Sequence, residues 1–270
     1  EMTTGRPIRI ESPDDPRIGG YRAIRERDLV GRENRFVAEG KVVLNVLFSA
    51  RRFEAESVLI LDRRLEGMRE TLALARPDMP IYVAAQGVMD AIAGFHIHRG
   101  VLALGFRRED EDADALLGPL PGDALVVALS GISNHDNMGA IFRNAAAFEA
   151  DAVLIDATSC DPLYRKAIRV SVGAALKVPF AVLEDDDALF AALDRHGFSQ
   201  IALSPSGSDD IAAIGREGRT ALWLGAEGEG LPAETMARMR TVRIGMSSGF
   251  DSLNVATAGA IALHRLWRPR

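Results

Sequence analysis

Cysteine is almost absent from this 270-residue sequence, and long apolar runs are missing altogether. The single cysteine, Cys160, has no partner for an internal disulfide, as expected of a protein in a reducing cytoplasm. No apolar run approaches the roughly 20 residues that cross a membrane, and no signal peptide is recognisable. We therefore expect a cytoplasmic protein that does not associate with membranes.

Recognisable metal and nucleophile motifs are also lacking. The sequence has no H-E-x-x-H or C-x-x-C pattern, and no catalytic triad is identifiable. His96 and His98 flank Ile97, but no further ligand is close in sequence, so we expect no metal site. The net charge of −6 argues against a surface that is basic throughout, although local basic patches are enough to bind nucleic acid.

Glycine, in contrast, is concentrated near the C-terminus, in loops that follow two apolar strands. The run Ala221–Leu224 leads into Gly225–Pro232, and Val242–Met246 leads into Ser247–Ala256. Such glycines let the backbone approach a ligand closely. The first loop lacks the Gly-Lys-Ser/Thr ending of a phosphate loop, and its two glutamates would repel a pyrophosphate. A ligand with a neutral adenosine and a positive centre, such as S-adenosylmethionine, suits it better, and a tight turn with solvated glutamates is the alternative.

The patterns divide the chain into two α/β modules, residues 17–106 and 123–270, on either side of residues 107–122. The middle segment joins an acidic run to glycines and prolines, which predicts a solvated linker. The predicted strands of the second module are Leu125–Leu129, Ala152–Ile155, Val178–Leu183, Gln200–Leu203, Ala221–Leu224 and Thr241–Ile244. Its predicted helices are Gly139–Phe148, Pro162–Leu176, Ala188–His196, Pro232–Met239 and Ser252–Trp267.

Basic residues are concentrated in two places, one within the first forty residues and one after a helix start at Asp161-Pro162. A basic helix with aromatic neighbours is suited to an RNA backbone. Arginines at this spacing also fit the solvated face of an ordinary helix. The candidates for RNA binding are Arg22, Arg25, Arg35, Arg165, Lys166 and Arg169.

A polar loop lies between the first strand and the first helix of the second module. It ends in Asn137-Met138-Gly139, and Arg143 follows about one turn into the predicted helix. Open parallel sheets place their sites at such loops. An arginine here is suited to gripping a phosphate or stabilising an oxyanion. A capped helix with a surface arginine is the alternative.

Three stretches together resemble the motifs of the SpoU/TrmH family of RNA ribose 2′-O-methyltransferases. They are Asn137-Met138-Gly139 with Arg143-Asn144-Ala145, then Leu224–Leu231, then Ile244-Gly245-Met246 with Ser252–Ala256. Their order and spacing agree with the family, and the resemblance spans nearly all of residues 123–270. Two positions depart from it, because Gly245 replaces a proline and Ala256 a serine. The first module, with Arg35–Gly40, is similar to the substrate-binding domain of many members.

The resemblance implies a fold, a reaction and a site. The fold is a parallel α/β sheet with a deep C-terminal trefoil knot, preceded by a small α/β RNA-binding domain, and the assembly is a homodimer. The reaction is S-adenosylmethionine-dependent methylation of a ribose 2′-hydroxyl in RNA, and the N-terminal domain favours ribosomal over transfer RNA. The residues implied in catalysis are Asn137, Arg143, Ser252 and Asn254. Those implied in cofactor binding are Leu203, Gly225, Glu227, Gly228, Ile244, Met246, Leu253 and Asn254.

Three alternatives stay open. A base methyltransferase of the wider knotted superfamily would share the fold but lack the pairing of Asn137 with Arg143. A non-catalytic RNA-binding or assembly protein would have the same fold with a degenerate cofactor site. A dinucleotide oxidoreductase is disfavoured by the acidic glycine loop.

Overall fold

The computed structural model of the protein describes residues 5–22, 26–93, 99–107, 109 and 111–270, except for the side chains of residues 26–28. The chain forms two compact units, Glu1–Glu109 with Leu163–Lys177 and Asp110–Pro162 with Val178–Arg270. The assignment of Leu163–Lys177 to the first unit has no counterpart in the sequence prediction. Arg25, His96 and His98 lie outside the described residues.

The described part of the chain alternates strands and helices in both units. The strands are β1 Ile8–Ile10, β2 Arg35–Glu39, β3 Glu54–Leu61, β4 Ile81–Ala84, β5 Val101–Phe106, β6 Leu125–Ser130, β7 Ala152–Asp156, β8 Phe180–Leu183, β9 Ser199–Leu203, β10 Asp209–Asp210, β11 Thr220–Gly225 and β12 Arg240–Arg243. The α-helices are α1 Glu26–Gly31, α2 Lys41–Ala50, α3 Arg69–Leu72, α4 Gln86–Ala93, α5 Ala113–Leu117, α6 His135–Ala147, α7 Arg165–Val170, α8 Asp186–Arg195, α9 Ala233–Met236 and α10 Val255–Leu266.

The first unit is built on a five-stranded sheet in the order β1-β4-β3-β5-β2. Strands β1, β4 and β3 are parallel, and β5 runs antiparallel to both of its neighbours. Its core contains Phe36, Leu59 and Ile60, none more than 1% exposed. Helix α7 packs beside β2 in this unit.

The single helix predicted over Pro162–Leu176 is wrong. Helix α7 ends at Val170, and Val172 and Gly173 follow in the left-handed region with φ of 55° and 86°. A separate turn of 3-10 helix covers Ala174–Leu176. The Ser171 hydroxyl stabilises the break, because it donates to Ile168 O and accepts from Ala175 N.

The second unit is built on a seven-stranded sheet in the order β10-β12-β9-β11-β6-β7-β8, and all of its pairings are parallel. This confirms the predicted α/β fold with a parallel sheet. The central strands β6 and β11 are buried along their whole length, as expected of a parallel sheet covered on both faces. The two-residue strand β10 was not predicted.

Strand β12 lies between β9 and β10, which are neighbours in sequence. The connection from β9 to β10 crosses β12 closely at Gly207. A Cβ atom on Gly207 would lie 2.2 Å from the carbonyl carbon of Val242 and 2.6 Å from Arg243 N. Only glycine therefore fits where the two segments cross.

The prediction of a solvated linker over residues 107–122 is wrong for its central part, which forms α5. The Asp112 side chain caps this helix by accepting from Ala115 N. Ala113 and Leu117 are buried in the core of the second unit. The apolar face was not recognised in the sequence because it alternates with exposed acidic residues, Asp112 at the N-cap and Asp114 in the helix.

Candidate active site

Four strands of the second unit end side by side at one edge of the sheet. Ser130 pairs with Gly225, so β6 and β11 finish at the same level, and Val242 pairs with Leu203 at the ends of β12 and β9. The loops that follow parallel strands therefore meet at this carboxyl edge. The half-buried Leu203 and the buried Gly225, both predicted to bind the cofactor, lie there.

The loop after β11 folds back tightly onto its own start. Gly230 N donates to Ala226 O at 2.8 Å, and these two residues form an isolated antiparallel bridge. A Cβ on Gly225 would lie 2.4 Å from Leu231 N. Gly228 and Gly230 have φ of 81° and 67°. The loop thus requires glycine at these three positions, and its exposed backbone forms a cradle at the carboxyl edge.

The loop between β12 and α10 presents apolar side chains at the surface. Met246 is 37% exposed, Leu253 42% and Phe250 76%, while Ile244 is half-buried. A group of exposed apolar side chains beside polar loops is typical of a ligand site. Ser252 is exposed here and forms no hydrogen bond with any described residue.

Asn254 connects the predicted motifs through its side-chain amide. Its Nδ2 atom donates to Asn137 Oδ1 at 3.0 Å and to Glu227 Oε1 at 2.7 Å. Its Oδ1 atom accepts from Ala256 N and Thr257 N, which caps helix α10. Every donor and acceptor of this amide is therefore used, and its orientation is fixed. Three residues that are far apart in the sequence meet in one network.

Helix α6 begins four residues earlier than predicted. Asn134 caps it, because its Oδ1 atom accepts from Asn137 N at 3.0 Å. Arg143 consequently lies about two turns into the helix rather than one. Asn144, one residue further on, donates from Nδ2 to Ala256 O at 2.9 Å. Sequence reasoning assigned no role to either asparagine, although Asn134 has the residue type and position of an N-cap.

Arg143 does not contact Asn137. The two residues are six positions apart on α6, which places them about 240° apart around the helix axis. Asn137 is 8% exposed and faces Asn254. Arg143 is exposed and forms no hydrogen bond or ion pair within the described part of the chain. The structure thus brings together Asn137, Glu227 and Asn254, and it leaves Arg143 and Ser252 outside this network.

The candidate RNA-binding residues that the structure describes all lie in the first unit. Arg35 is in a strand, not a helix, and pairs with Glu33 and Glu56 at 3.6 and 3.2 Å. Arg165 pairs with Glu39 at 3.4 Å. The charge of Arg35 is therefore offset by its two glutamate partners. The other described candidates for RNA binding, all exposed, are Arg22, Lys166 and Arg169.

The lone thiol carries no sign of activation. Burial, together with the negative charge of Asp161, raises the pKa of Cys160 to about 11, so the thiol stays protonated at neutral pH. Within the described residues, no three His, Cys, Asp or Glu side chains come together as a metal site. No helix in the same residues is long and apolar enough to cross a bilayer.

The second unit is thus a parallel α/β domain whose motif residues meet at the carboxyl edge of its sheet, and comparison with known proteins gives its family. The model of the SpoU rRNA methylase family matches residues 124–264. The chain therefore belongs to the SpoU family, as the resemblance of its motifs predicted. This family of RNA methyltransferases uses S-adenosylmethionine.

Proteins of similar sequence and similar fold agree with this assignment. An uncharacterized tRNA/rRNA methyltransferase of Mycobacterium bovis is 41% identical over 95% of this chain and 90% of its own length. A 23S rRNA (guanosine-2′-O-)-methyltransferase of Acinetobacter baylyi is 30% identical over 80% of this chain and 92% of its own. The crystal structure of an rRNA methyltransferase from Sinorhizobium meliloti with bound AdoMet has the same fold, with a TM-score of 0.79 at 22% identity and 97% coverage of both chains.

Proposed function

We propose that this chain transfers a methyl group from S-adenosylmethionine to a ribose 2′-hydroxyl of RNA, with ribosomal rather than transfer RNA as its substrate. The network of Glu227, Asn254 and Asn137 carries the proposal, because it joins one residue from each of the three motifs. The reaction named for the Acinetobacter baylyi relative supports the choice of a ribose hydroxyl.

The carboxyl edge of the second sheet fits the methyl donor. Met246 and Leu253 offer exposed apolar surface to an adenine ring. Glu227 uses one carboxylate oxygen for Asn254, and its other oxygen has no partner among the described residues. That oxygen is suited to ribose hydroxyls or to the sulfonium charge. The residues that would hold the donor are Leu203, Gly225, Glu227, Gly228, Ile244, Met246, Leu253 and Asn254.

When bound, the donor supplies a methyl group that is already activated. The 2′-oxygen forms a bond to the methyl carbon as the carbon–sulfur bond breaks, and the hydroxyl proton is released to solvent. The protein has to align the hydroxyl and stabilise the negative charge on its oxygen. We assign charge stabilisation to Arg143, because a guanidinium stays protonated at neutral pH. Asn137 retains a free amide NH2 within the described structure and would orient the substrate, with Ser252 and Asn254 supporting the site.

RNA would be held by the basic residues of the first unit, Arg22, Arg25, Arg35, Arg165, Lys166 and Arg169. The exposure of Lys166 and Arg169 supports their role in binding phosphates. Glu33 and Glu56 offset the charge of Arg35, so we expect Arg35 to contribute less to RNA binding. We also propose a trefoil knot, a homodimer and a location in the cytoplasm. The position of β12 between β9 and β10 supports the knot, and Ile261 on α10, 41% exposed, supports an interface on that helix.

Incubation of the purified protein with methyl-labelled S-adenosylmethionine and separate pools of ribosomal and transfer RNA tests the proposal. Nuclease digestion and mass spectrometry should locate the label on a ribose in ribosomal RNA. Label on a base would identify a base methyltransferase instead. Calorimetry that detects no donor binding would favour a non-catalytic RNA-binding protein.

A further inference from the structure

Asp156 is a buried carboxylate that has no part in the proposed chemistry. It ends β7, next to β6, and is 4% exposed. Its Oδ1 atom accepts from Gly131 N at 2.9 Å and from Ser159 Oγ at 2.6 Å, and its Oδ2 atom accepts from Thr158 Oγ1. A buried carboxylate is tolerated only with such donors. These donors belong either to its own turn or to the loop after β6.

The same turn also holds the next residue of that loop. Ile132 N donates to Ser159 Oγ at 2.9 Å, and Cys160 N donates to Ile132 O at 2.9 Å. Gly131 itself has a φ of 71°, a conformation that favours glycine. Asn134 follows two residues after Ile132 and caps helix α6. The start of α6 therefore depends on bonds made by residues 156–160.

The loop after β6 also faces the glycine loop of the site. A Cβ on Gly131 would lie 3.4 Å from the Cβ of Ala226, in van der Waals contact. The loop is thus held by the Asp156 turn while it lies next to the cradle after Gly225. A shift of this loop would displace Asn137, which is 3.0 Å from Asn254 across the network.

We propose that Asp156 is a positioning residue for methyl transfer. By holding residues 131–134, it keeps Asn137 at hydrogen-bonding distance from Asn254. The proposal rests on the proposed function for its kinetic consequences. The structural role of Asp156, which is to hold the first turn of α6 in place, does not depend on which reaction the protein catalyses.

Asp151 provides a matched comparison at the other end of β7. Its Oδ2 atom accepts from Leu125 N at 2.9 Å, so it ties the start of β6 as Asp156 ties its end. Its side chain is 10% exposed and also pairs with Arg270. Both carboxylates accept a hydrogen bond from the backbone at an end of β6, but Asp151 does so at the edge of the sheet opposite the site. A purely structural role would give the two residues similar effects.

The test compares Asp156→Ala, Asp156→Asn, Ser159→Ala and Asp151→Ala in the full-length protein. We expect Asp156→Ala to lower kcat about 10- to 100-fold, because small misplacements of reacting groups are costly, with KM changed less than about twofold. The kcat of Asp156→Asn should stay within about threefold of the wild type. The Thr158 hydroxyl, which donates to Asp156, can rotate and accept a hydrogen bond from the amide NH2 of the asparagine instead. Ser159→Ala should be intermediate. Asp151→Ala should lower the melting temperature without lowering kcat.

Amide hydrogen exchange of residues 131–137 gives a readout that does not need activity. We expect exchange there to accelerate about tenfold in Asp156→Ala and to be unchanged in Asp151→Ala. Equal kcat losses in the two alanine variants, or unchanged exchange in Asp156→Ala, would overturn the inference. Should Asp156→Ala fail to fold, Ser159→Ala decides by the same two measurements. If the wild-type protein transferred no methyl group to RNA, only the proposed function would be refuted. The exchange measurements would still decide whether Asp156 holds the first turn of α6.

Discussion

The two edges of the seven-stranded sheet differ in how completely their polar side chains are paired. At the amino edge, arginines are engaged with backbone carbonyls and carboxylates. Arg219 donates to four carbonyls, those of Gly118, Leu120, Pro121 and His196, and Arg270 forms two bonds to Asp151. At the carboxyl edge, Asn137 and Glu227 each keep a polar atom without a partner in the described structure.

This difference separates stability from function. A charged group that is already paired with the protein contributes to folding and has little left to offer a ligand. A donor or acceptor that is held in place but not fully paired is available to a substrate. Substitutions at the amino edge should therefore affect stability, and those at the carboxyl edge should affect donor binding or turnover.

The largest effect is expected for Arg143→Ala. We expect kcat to fall about 100- to 1000-fold, because a group that stabilises developing negative charge is lost. Stability should change little, since the side chain is exposed. Steady-state kinetics and thermal melts measure the two quantities. Arg195→Ala, which removes an exposed arginine at the amino edge, is the control, and near-normal turnover in Arg143→Ala would refute the assignment.

Gly225→Ala should come next. A Cβ here would lie 2.4 Å from Leu231 N, so the glycine loop has to move. Overpacking of about 1 to 3 kcal/mol corresponds to a rise of up to about 100-fold in the Kd for S-adenosylmethionine, measurable by calorimetry. A Cβ at Gly215 would meet nothing within 4 Å, so Gly215→Ala is the matched control. Equal affinities in the two variants would contradict a role for this loop in donor binding.

Asn254→Ala should reduce both turnover and stability. Loss of the bonds to Asn137 and Glu227 is expected to lower kcat about 10- to 30-fold, and loss of the α10 cap to cost about 1 kcal/mol. The control is Asp185→Ala, which removes the comparable cap of α8, where the side chain accepts from Ala188 N at 2.9 Å. If both variants lost stability and turnover equally, the network would have no specific role.

Arg219→Ala tests the amino edge. Loss of its bonds to four carbonyls should reduce the free energy of unfolding by about 1.5 kcal/mol, read from urea denaturation. Turnover at a temperature well below the midpoint should remain normal. A loss of kcat in the folded variant would show that the two edges are not separable.

The smallest effect concerns pH. Hydrogen bonds from His196 and Arg195 lower the pKa of Asp114 from its ordinary value of 3.8. A carboxyl with a lowered pKa in the folded state stabilises the protein above its unfolded pKa of about 4, and this contribution is lost as the pH falls below that value. Asp114→Asn should therefore show a smaller decrease in melting temperature than the wild type between about pH 4.5 and pH 3. Identical pH profiles would mean that the bridge is too exposed to matter.

Much of the second unit was predictable from local patterns. The six predicted strands are present within about two residues of their expected ends, because buried parallel strands give short apolar runs bounded by turn residues. The helices were located less well at their ends. The start of α6 was missed by four residues, since the polar run Asn134-His135-Asp136 has the composition of a loop although Asn134 is a cap.

The sequence by itself determined the parallel α/β fold, the motifs and, through them, the family. Local composition and spacing carry that information. Only the tertiary structure decided that Asn254 meets Asn137, 117 residues away, and that Gly207 has to be a glycine because β12 lies beneath it. It also decided that Asp156 supports the loop before α6. Such contacts depend on the order in which strands pair, and that order is set by long-range packing that no local pattern encodes.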